Sequence, residues 1–300
     1  MSDIIVSVCC SVFNHEKFIV KALDGFLMQK TNFKIEILIN DDCSEDNTVS
    51  ILKDYNNRYP GFFDITFQTE NQYSKGVKPL SQMLFPKVEG KYIALCEGDD
   101  YWTDPNKLQK QVDFLEKNLN YSFCFHKCRI VDENDTEFES KTFDHLEAKD
   151  YVGSELLEKW SIPTASVLFR SEFINQIQKR AKTPGYLYGD TPMFLTLLEN
   201  GKARCLVDNM SAYRIHKGGI SRSMNKKNMI ALYTHNQTLK NDFNGKYGGI
   251  MKKHISNYAF RVSVYLVRKG HIIEGAKYFF ISIFYDKKPV IDFLAKKLLS

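Results

Sequence analysis

An apolar run that ends in a cluster of acids occupies residues 90–108, GKYIALCEGDDYWTDPNKL. The run KYIAL has the pattern of a short buried strand, and Pro105 suits the first turn of a following helix. Between them, Glu97, Asp99 and Asp100 place three carboxylates where the strand meets the surface. Such groups lose hydration free energy and repel one another unless a positive charge lies among them. The stretch therefore predicts a cation site at the end of a buried strand.

The first hundred residues alternate between strand and helix patterns. The runs DIIVSVCCSVF and KIEILIND are almost continuously apolar, as in strands covered on both faces, whereas HEKFIVKALDGFLMQ has apolar residues at helical spacing. A βαβα order predicts an α/β fold with a mostly parallel sheet, in which ligands bind outside the carboxyl ends of the strands. We therefore expect Asn14, Asp41 and Asp42 at the same rim as the later acids.

The oxygen-rich rim favours Mg²⁺ or Mn²⁺ as its cation, because hard divalent ions prefer oxygen ligands. The chain has neither of the glycine-rich phosphate loops GxxxxGK[ST] and GxGxxG. A metal held by acids is therefore the expected phosphate handle. The alternative is that the acids only solvate loops and cap helices, which is the favoured interpretation for Asp104. A zinc site at Cys124, His126 and Cys128 is disfavoured against a plain strand.

The composition is that of a globular protein and does not indicate a nucleic-acid binder. Apolar residues make up 43% of the chain, charged residues 26%, and the net charge is only +5. Seven cysteines without framework spacing favour a reducing compartment. The first residues lack a signal-peptide pattern, and no apolar run reaches the ~20 residues of a spanning helix. We expect a cytoplasmic protein, with the inner face of the membrane as the alternative location.

Five motifs resemble, in order, those of family 2 glycosyltransferases with the GT-A fold. They are VSVCCSVFNHEKFIVKALDGFLMQ, ILINDDCSEDNT, KYIALCEGDDYW, LYGDTPMFLTLLENG and YRIHKGGIS. Three departures stand out: the opening motif has Phe13 where the family often has tyrosine, the metal-binding DXD-like motif begins with Glu97, and Gly189–Asp190 replaces the usual Glu-Asp pair. The resemblance implies a Rossmann-like GT-A domain over residues 1–224, followed by a helical region over 225–300.

The resemblance also implies that residues 1–100 bind the nucleotide and that residues 101–224 bind the acceptor. The implied reaction is a metal-dependent, inverting transfer of a sugar from a UDP-sugar to a hydroxyl group. Asp99 and Asp100 would bind Mn²⁺ or Mg²⁺, and Asp99 is the alternative ribose contact. Asp190 would be the general base that takes the acceptor's proton. A simple helix cap is the competing interpretation of Asp190.

The nucleotide site implied by the resemblance begins with Phe13 and Asn14, where Phe13 can stack on a base. Asp42 would accept the imide N–H of uracil, and Asp41 lies beside it. Capping of the helix that follows at Ser44 is the competing interpretation for both acids, and the two roles are compatible.

The sugar and diphosphate contacts are expected further along the chain. Trp102 would form a wall of the sugar site, because aromatic faces pack against sugar C–H groups. Arg214 and His216 belong to a basic, glycine-containing loop that would close on the diphosphate and offset leaving-group charge. A plain surface position is the alternative for both residues.

The expected acceptor is a glycan or a lipid-linked glycan in surface polysaccharide synthesis. The C-terminal helices carry lysines such as Lys252, Lys253, Lys287 and Lys288; a solvated face is the simpler interpretation, and a membrane contact is the alternative. A homodimer is left open. A non-catalytic module that binds sugar nucleotides or a partner is the rival function, and a sugar nucleotidyltransferase is disfavoured because it would show a glycine-rich loop.

Overall fold

The computed structural model describes residues 3–159, 162–216 and 226–298. The chain forms two compact units. The first comprises Met1–Ala181 and Met193–His216, and the second comprises Lys182–Pro192 and Lys217–Ser300. The predicted boundary near Met224 lies outside the described residues, so the domain limits stay a prediction.

All nine described strands of the first unit belong to a single mixed sheet. In chain order its strands are β1 (Ile4–Val12), β2 (Lys34–Asp41), β3 (Phe63–Phe67), β4 (Tyr92–Leu95), β5 (Tyr101–Trp102), β6 (Tyr121–Val131), β7 (Asp150–Tyr151), β8 (Leu168–Arg170) and β9 (Lys202–Arg214). Their order in space is β3-β2-β1-β4-β8-β6-β9-β5, with β7 also beside β9. The long pairs β1–β2 and β6–β9 are parallel, and each antiparallel pair includes one of the short strands β5, β7 or β8. The prediction of an α/β fold with a mostly parallel sheet is confirmed.

The described helices follow the expected alternation in the first unit and dominate the second. They are α1 (Ile19–Leu27), α2 (Thr48–Arg58), α3 (Lys107–Lys117), α4 (Gly153–Glu158), α5 (Ile174–Ala181), α6 (Asp190–Asn200), α7 (Lys226–Asp242), α8 (Gly248–Arg268), α9 (Ile272–Tyr285) and α10 (Lys288–Leu298). Pro105 precedes α3 by two residues instead of opening it; the turn before the helix is held by the carboxylate of Asp104, which accepts the N–H of Asn106 at 2.8 Å.

The central strands are buried on both faces, as their continuous apolar runs predict. On β1, Val8 and Cys10 pack in one core with Phe26 of α1, whereas Cys9 packs in a second core with Ile93 of β4. Successive strand residues point to opposite faces, so a strand covered on both faces is almost continuously apolar or small along its length. This double burial fixes β1, β2 and β4 side by side and therefore fixes where their carboxyl ends lie.

Most of the described part of the second unit is helical. The buried stripe of α8 contains Ile255, Ala259, Val262 and Leu266, at the spacing of one helix face. The described residues from 226 onward contain no strand, as the sequence predicts. None of the helices in the described ranges has the length and apolar character needed to cross a bilayer.

Candidate functional site

The carboxyl ends of β1, β2 and β4 meet at one rim of the sheet. Beyond β2, the N–H of Asp42 donates to the carbonyl of Val12 at 2.9 Å, and beyond β4 the N–H of Gly98 donates to the carbonyl of Ser11 at 3.1 Å. Parallel pairing therefore continues past the strand ends and holds the following loops together. The structure brings the acids that follow β2 and the acids that follow β4 to the same edge, as the sequence predicts.

The acids at the end of β2 are buried and receive hydrogen bonds from nearby backbone groups. The carboxylate of Asp41 accepts bonds from the N–H and the hydroxyl of Ser44, at 3.1 and 2.6 Å. The two carboxylate oxygens of Asp42 accept the N–H groups of Gln72 and Tyr73, at 2.8 and 3.0 Å. Asp41 therefore holds its own turn, and Asp42 ties the rim to a loop thirty residues away.

The residues at the end of β1 combine an exposed ring with a fixed loop. Phe13 is 41% exposed, so its ring is available to a ligand. Asn14 has a left-handed backbone conformation with φ of 55°, and its side-chain oxygen accepts the N–H of Glu45 at 2.8 Å. Its own N–H donates to the hydroxyl of Ser44 at 2.8 Å. Asn14 thus joins the loops that follow β1 and β2.

Asp99, at the end of β4, lies between two histidines. Its Oδ2 atom is hydrogen-bonded to Nε2 of His216 at 3.0 Å, and Nε2 of His15 lies 4.0 Å away. Burial acts to raise the pKa of Asp99, but the hydrogen bond from His216 and the charges of His15 and His216 outweigh it, so the pKa lies below its usual value. Asp99 therefore carries its negative charge readily.

Asp100, the next residue, has the opposite electrostatic environment. Its side chain is 3% exposed, and Oδ1 accepts the backbone N–H of Arg214 at 2.8 Å. Burial raises the pKa of Asp100 well above its usual value, and the negative charges of Asp99 and Glu97 raise it further. The surrounding protein thus leaves the charge of Asp100 incompletely compensated.

Arg214 holds in place the loop that carries Asp99 and Asp100, which we call the acid loop. Its side chain is 1% exposed, and Nε donates to the carbonyl of Asp99 at 2.9 Å. The two terminal nitrogens donate to the carbonyl of Asp132 at 2.8 Å and to the carboxylate of Asp135 at 2.5 Å. The predicted contact of Arg214 with a diphosphate stays a prediction. What the structure gives Arg214 is a positioning role for the loop that carries Asp99 and Asp100.

Trp102 lies inside the core. It is 2% exposed, its indole N–H donates to the carbonyl of Ala165 at 2.9 Å, and its ring packs against Phe26 with 4.9 Å between centroids. The ammonium group of Lys107 lies 4.2 Å from the ring centroid on a third side. These contacts account for the indole without a ligand, so we leave Trp102 out of the sugar site suggested by the sequence.

The oxygen donors at this rim fit a divalent cation that arrives together with a diphosphate. Within the described ranges, no three His, Cys, Asp or Glu side chains are grouped so that they could hold a metal ion by themselves. Mg²⁺ is usually held by one or two carboxylates together with substrate phosphates, and Asp99 and Asp100 supply that number. The raised pKa of Asp100 is the observation that supports the fit, because a cation there would compensate the charge that burial penalises.

Asp190 is the first residue of α6 and belongs to the second unit. Its Oδ1 atom accepts the N–H of Thr191 at 2.7 Å. A carboxylate at this position is stabilised by the positive end of the helix dipole. The helix-terminal position that the sequence suggested is therefore seen, and a role as base stays compatible with it. The predicted loop residues Lys217, Gly218, Gly219 and Ser221 lie outside the described residues.

The family profile of Glycosyl transferase family 2 matches residues 7–194. The chain belongs to this family. An uncharacterized protein of Mycobacterium bovis is 34% identical over 230 residues, which cover 73% of this chain and 61% of that protein. A UDP-Glc:alpha-D-GlcNAc-diphosphoundecaprenol beta-1,3-glucosyltransferase of Escherichia coli, WfgD, is 32% identical over 135 residues, 45% of this chain and 49% of that enzyme. The chain thus spans less than two thirds of these relatives.

Solved structures confirm the GT-A fold of this family 2 member. Residues 1–349 of Staphylococcus aureus TarS in complex with UDP-GlcNAc match with a TM-score of 0.60 at 15% identity, over 95% of this chain and 92% of that fragment. A mannosyltransferase of Pyrobaculum calidifontis in complex with GDP-Man and Mn²⁺ matches with a TM-score of 0.54 at 14% identity, over 98% and 79% of the two chains. At these identities the likeness concerns the fold alone.

One rim residue of this family 2 member received no role from the sequence, although it lies in the loop that follows β1. His15 is largely shielded from solvent, and this desolvation lowers the pKa of its ring; Nδ1 has no hydrogen-bond partner in the structure. A Cβ atom on Gly98 would lie 2.8 Å from that nitrogen. Because His15 follows a strand, the sequence could have placed it at the rim. Its contact with Asp99 could not be predicted, because the two residues are far apart in the sequence.

Proposed function

We propose that this family 2 member transfers a sugar from a UDP-sugar to a hydroxyl group of a glycan or lipid-linked acceptor, with inversion at the anomeric carbon. The observation that carries the proposal is the pair Asp99 and Asp100 at the carboxyl rim of the sheet. One of these carboxylates is held ionised by histidines, and the other is buried with its charge incompletely compensated. Such a pair is suited to a divalent cation and, through it, to a diphosphate.

The nucleotide lies, in this proposal, against the ends of β1 and β2. The exposed ring of Phe13 stacks on the base, and Asp42 accepts the imide N–H of uracil. Each carboxylate oxygen has two lone pairs, and each oxygen of Asp42 has one backbone N–H donor among the bonds described above, so acceptor capacity remains. The UDP-GlcNAc bound by the structural neighbour TarS supports a UDP-sugar as donor.

Asp99 and Asp100 hold the cation, which is Mn²⁺ or Mg²⁺. When bound, a divalent cation offsets the negative charge that develops on the departing diphosphate. His216 and Arg214 keep the two carboxylates in place, His216 by its bond to Asp99 and Arg214 by its bonds around the acid loop. The Mn²⁺ bound by the structural neighbour from Pyrobaculum calidifontis supports this choice of metal.

Asp190 is the proposed base of the transfer. Its carboxylate takes the proton of the acceptor hydroxyl while that oxygen attacks the anomeric carbon. The new C–O bond forms as the bond between the anomeric carbon and the β-phosphate oxygen breaks, and UDP leaves with the electron pair. A single displacement of this kind inverts the anomeric centre and needs one carboxylate rather than two.

The acceptor is a glycan or a lipid-linked glycan, and the product serves surface polysaccharide synthesis. The support is the Escherichia coli relative, whose name gives a sugar-diphosphoundecaprenol acceptor. A lipid-linked acceptor would place the enzyme at the inner face of the membrane. The sugar to be transferred is left to experiment.

The direct test is Asp190→Asn, a substitution that keeps the size of the side chain. We expect UDP affinity in Mn²⁺ to be unchanged while transfer falls by ~10²–10⁴-fold, the usual contribution of a general base. Asp54→Asn, at an exposed acid of α2, is the matched control and should leave both quantities unchanged. Normal turnover in Asp190→Asn would remove Asp190 as the base. UDP binding without donor hydrolysis or transfer in the wild type would instead support a non-catalytic module.

A further inference from the structure

The two residues that helix α9 buries are small, and five of its large apolar residues are exposed. Gly275 and Ser282 are its buried residues. The carbonyl of Ser282 accepts the hydroxyl of Ser256 on α8 at 3.0 Å, so the interface with α8 includes a polar contact. On the outside, Ile273 is 90% exposed and Phe284 is 83% exposed. A helix that folds only to cover a core would have the opposite arrangement.

The exposed apolar residues form one continuous stripe, which we call the α9 face. Its members are Ile272, Ile273, Phe280, Ile283 and Phe284. At ~100° per residue these five side chains fall within an arc of ~120°. Exposed Ile291 and Leu294 on α10 add further apolar surface to the same unit. Contiguous apolar patches of this kind mark binding surfaces rather than ordinary solvent-facing helices.

The segment that carries the α9 face is strongly basic. Residues 226–300 contain 14 lysines and arginines and four acids, a net charge of +10, whereas residues 1–225 carry −5. Lys277 is exposed and borders the α9 face in the helical projection. Exposed Lys269 precedes α9, and exposed Lys287 and Lys288 follow it. Positive charge therefore lies at one edge and at both ends of the apolar stripe.

We propose that the α9 face docks on an anionic lipid bilayer, with α9 in the plane of the interface. An apolar stripe bordered by lysines binds such a surface through both apolar burial and attraction to anionic lipid. A second copy of the chain is a poorer occupant, because self-association through this face would bring two segments of charge +10 together. The inference deepens the proposed function, because it names the surface on which a lipid-linked acceptor would be presented.

The test is co-sedimentation of the full chain with vesicles and needs no transfer activity, so it can succeed or fail independently of the proposed function. We expect binding to vesicles that contain phosphatidylglycerol, weak binding to phosphatidylcholine alone, and weaker binding as salt rises. The double variant Ile273→Glu with Phe284→Glu should lower the partition coefficient by ~tenfold or more. The matched control, Leu119→Glu with Val207→Glu, changes two other highly exposed apolar residues, which belong to the first unit, and should bind normally.

A second variant, which changes lysines instead of apolar residues, tests the same proposal if the apolar substitutions unfold the second unit. Lys277→Glu, Lys287→Glu and Lys288→Glu together should weaken binding to anionic vesicles by ~fivefold for each lysine, and thermal unfolding and UDP affinity should be unchanged. Absence of vesicle binding in the wild type, or equal binding in all variants, would overturn the proposal. A wild-type dimer that Ile273→Glu with Phe284→Glu converts to a monomer, without vesicle binding, would assign the α9 face to a second copy instead.

Discussion

Two pairs of acids follow neighbouring strands of the same sheet, yet the protein treats them differently. Asp41 and Asp42, after β2, accept four hydrogen bonds from Ser44, Gln72 and Tyr73. Asp99 and Asp100, after β4, depend on His216 and on one backbone N–H of Arg214. Asp41, Asp42 and Asp100 are all buried, so the difference between Asp100 and the first pair lies in the number of donors around each carboxylate, whereas Asp99 is partly exposed.

The comparison separates acids whose charge is stabilised by hydrogen bonds within the protein from acids that we propose bind a cation. A buried carboxylate with backbone donors on both oxygens is already stabilised in the folded protein. A buried carboxylate beside other acids, as at Asp100, lowers the stability of the empty protein and gains most when a cation binds.

Removal of the Asp42 carboxylate should have the largest effect, and the effect should be on stability. Asp42→Ala removes the hydrogen bonds that the N–H groups of Gln72 and Tyr73 donate to a buried carboxylate, and a hydrogen bond to a charged group contributes ~1.5–3 kcal/mol. Urea unfolding should report a loss of about 3–6 kcal/mol. Asp64→Ala, which removes a surface ion pair with Lys87, is the control and should cost about 0–1 kcal/mol. A loss below the control's would mean that Asp42 does not support the loop.

Removal of the Asp100 carboxylate should weaken metal-dependent UDP binding instead. In Mn²⁺, Asp100→Ala should weaken UDP affinity by ~10–100-fold, because one of two proposed metal ligands is lost. In EDTA the same variant should bind UDP as the wild type does. Calorimetric titration measures both constants. Equal loss with and without metal would show that Asp100 contacts the nucleotide directly, and no loss would move the metal elsewhere.

The exposed ring at the end of β1 should contribute less than the metal ligand. Phe13→Ala should weaken UDP affinity by ~5–10-fold both in Mn²⁺ and in EDTA, because stacking on a base does not require the cation. Phe13→Tyr preserves the ring and should bind within about twofold of the wild type. If Phe13→Ala binds UDP normally, the base lies elsewhere on the rim.

The smallest effect expected is a gain in stability from Asp100→Asn in the absence of metal. Burial raises the folded-state pKa of Asp100, so its stabilising contribution is complete below the ordinary carboxyl pKa and is lost as pH rises through the raised value. In EDTA the wild-type Tm should therefore fall more than that of the variant as pH rises above the ordinary carboxyl pKa, and the Tm of the variant should then be higher by a few degrees.

The matched substitution for that experiment is Asp41→Asn. Asp41 accepts two bonds from Ser44, so its replacement should lower Tm at the same pH rather than raise it. A decrease in Tm for Asp100→Asn in EDTA would contradict the idea that its charge is poorly compensated.

Local pattern was enough to predict the strands and the rim. The apolar runs of β1, β2 and β4 identify buried parallel strands, and parallel strands must bring their carboxyl ends to one edge. The positions of Asp41 and of Asp99 followed from this alone. The resemblance to family 2 rested on the same stretches, and the family profile confirms it.

Contacts between residues that are far apart in the chain could not be predicted from the sequence. Trp102 is buried because β5 pairs with β9, more than a hundred residues later. The hydrogen bonds of Arg214 to the acid loop and to Asp135 depend on the same pairing of distant segments. On α9, the spacing of apolar residues shows a stripe but not whether that stripe faces the core or the solvent.

The central claim is that Asp99 and Asp100 hold a cation that binds a nucleoside diphosphate. The most direct measurement is the dissociation constant of UDP for the wild-type chain, by calorimetry, in saturating Mn²⁺ and again in EDTA. We predict that Mn²⁺ tightens UDP binding by ~tenfold or more, as expected for a diphosphate held through a shared cation. Equal dissociation constants in the two conditions would contradict the claim.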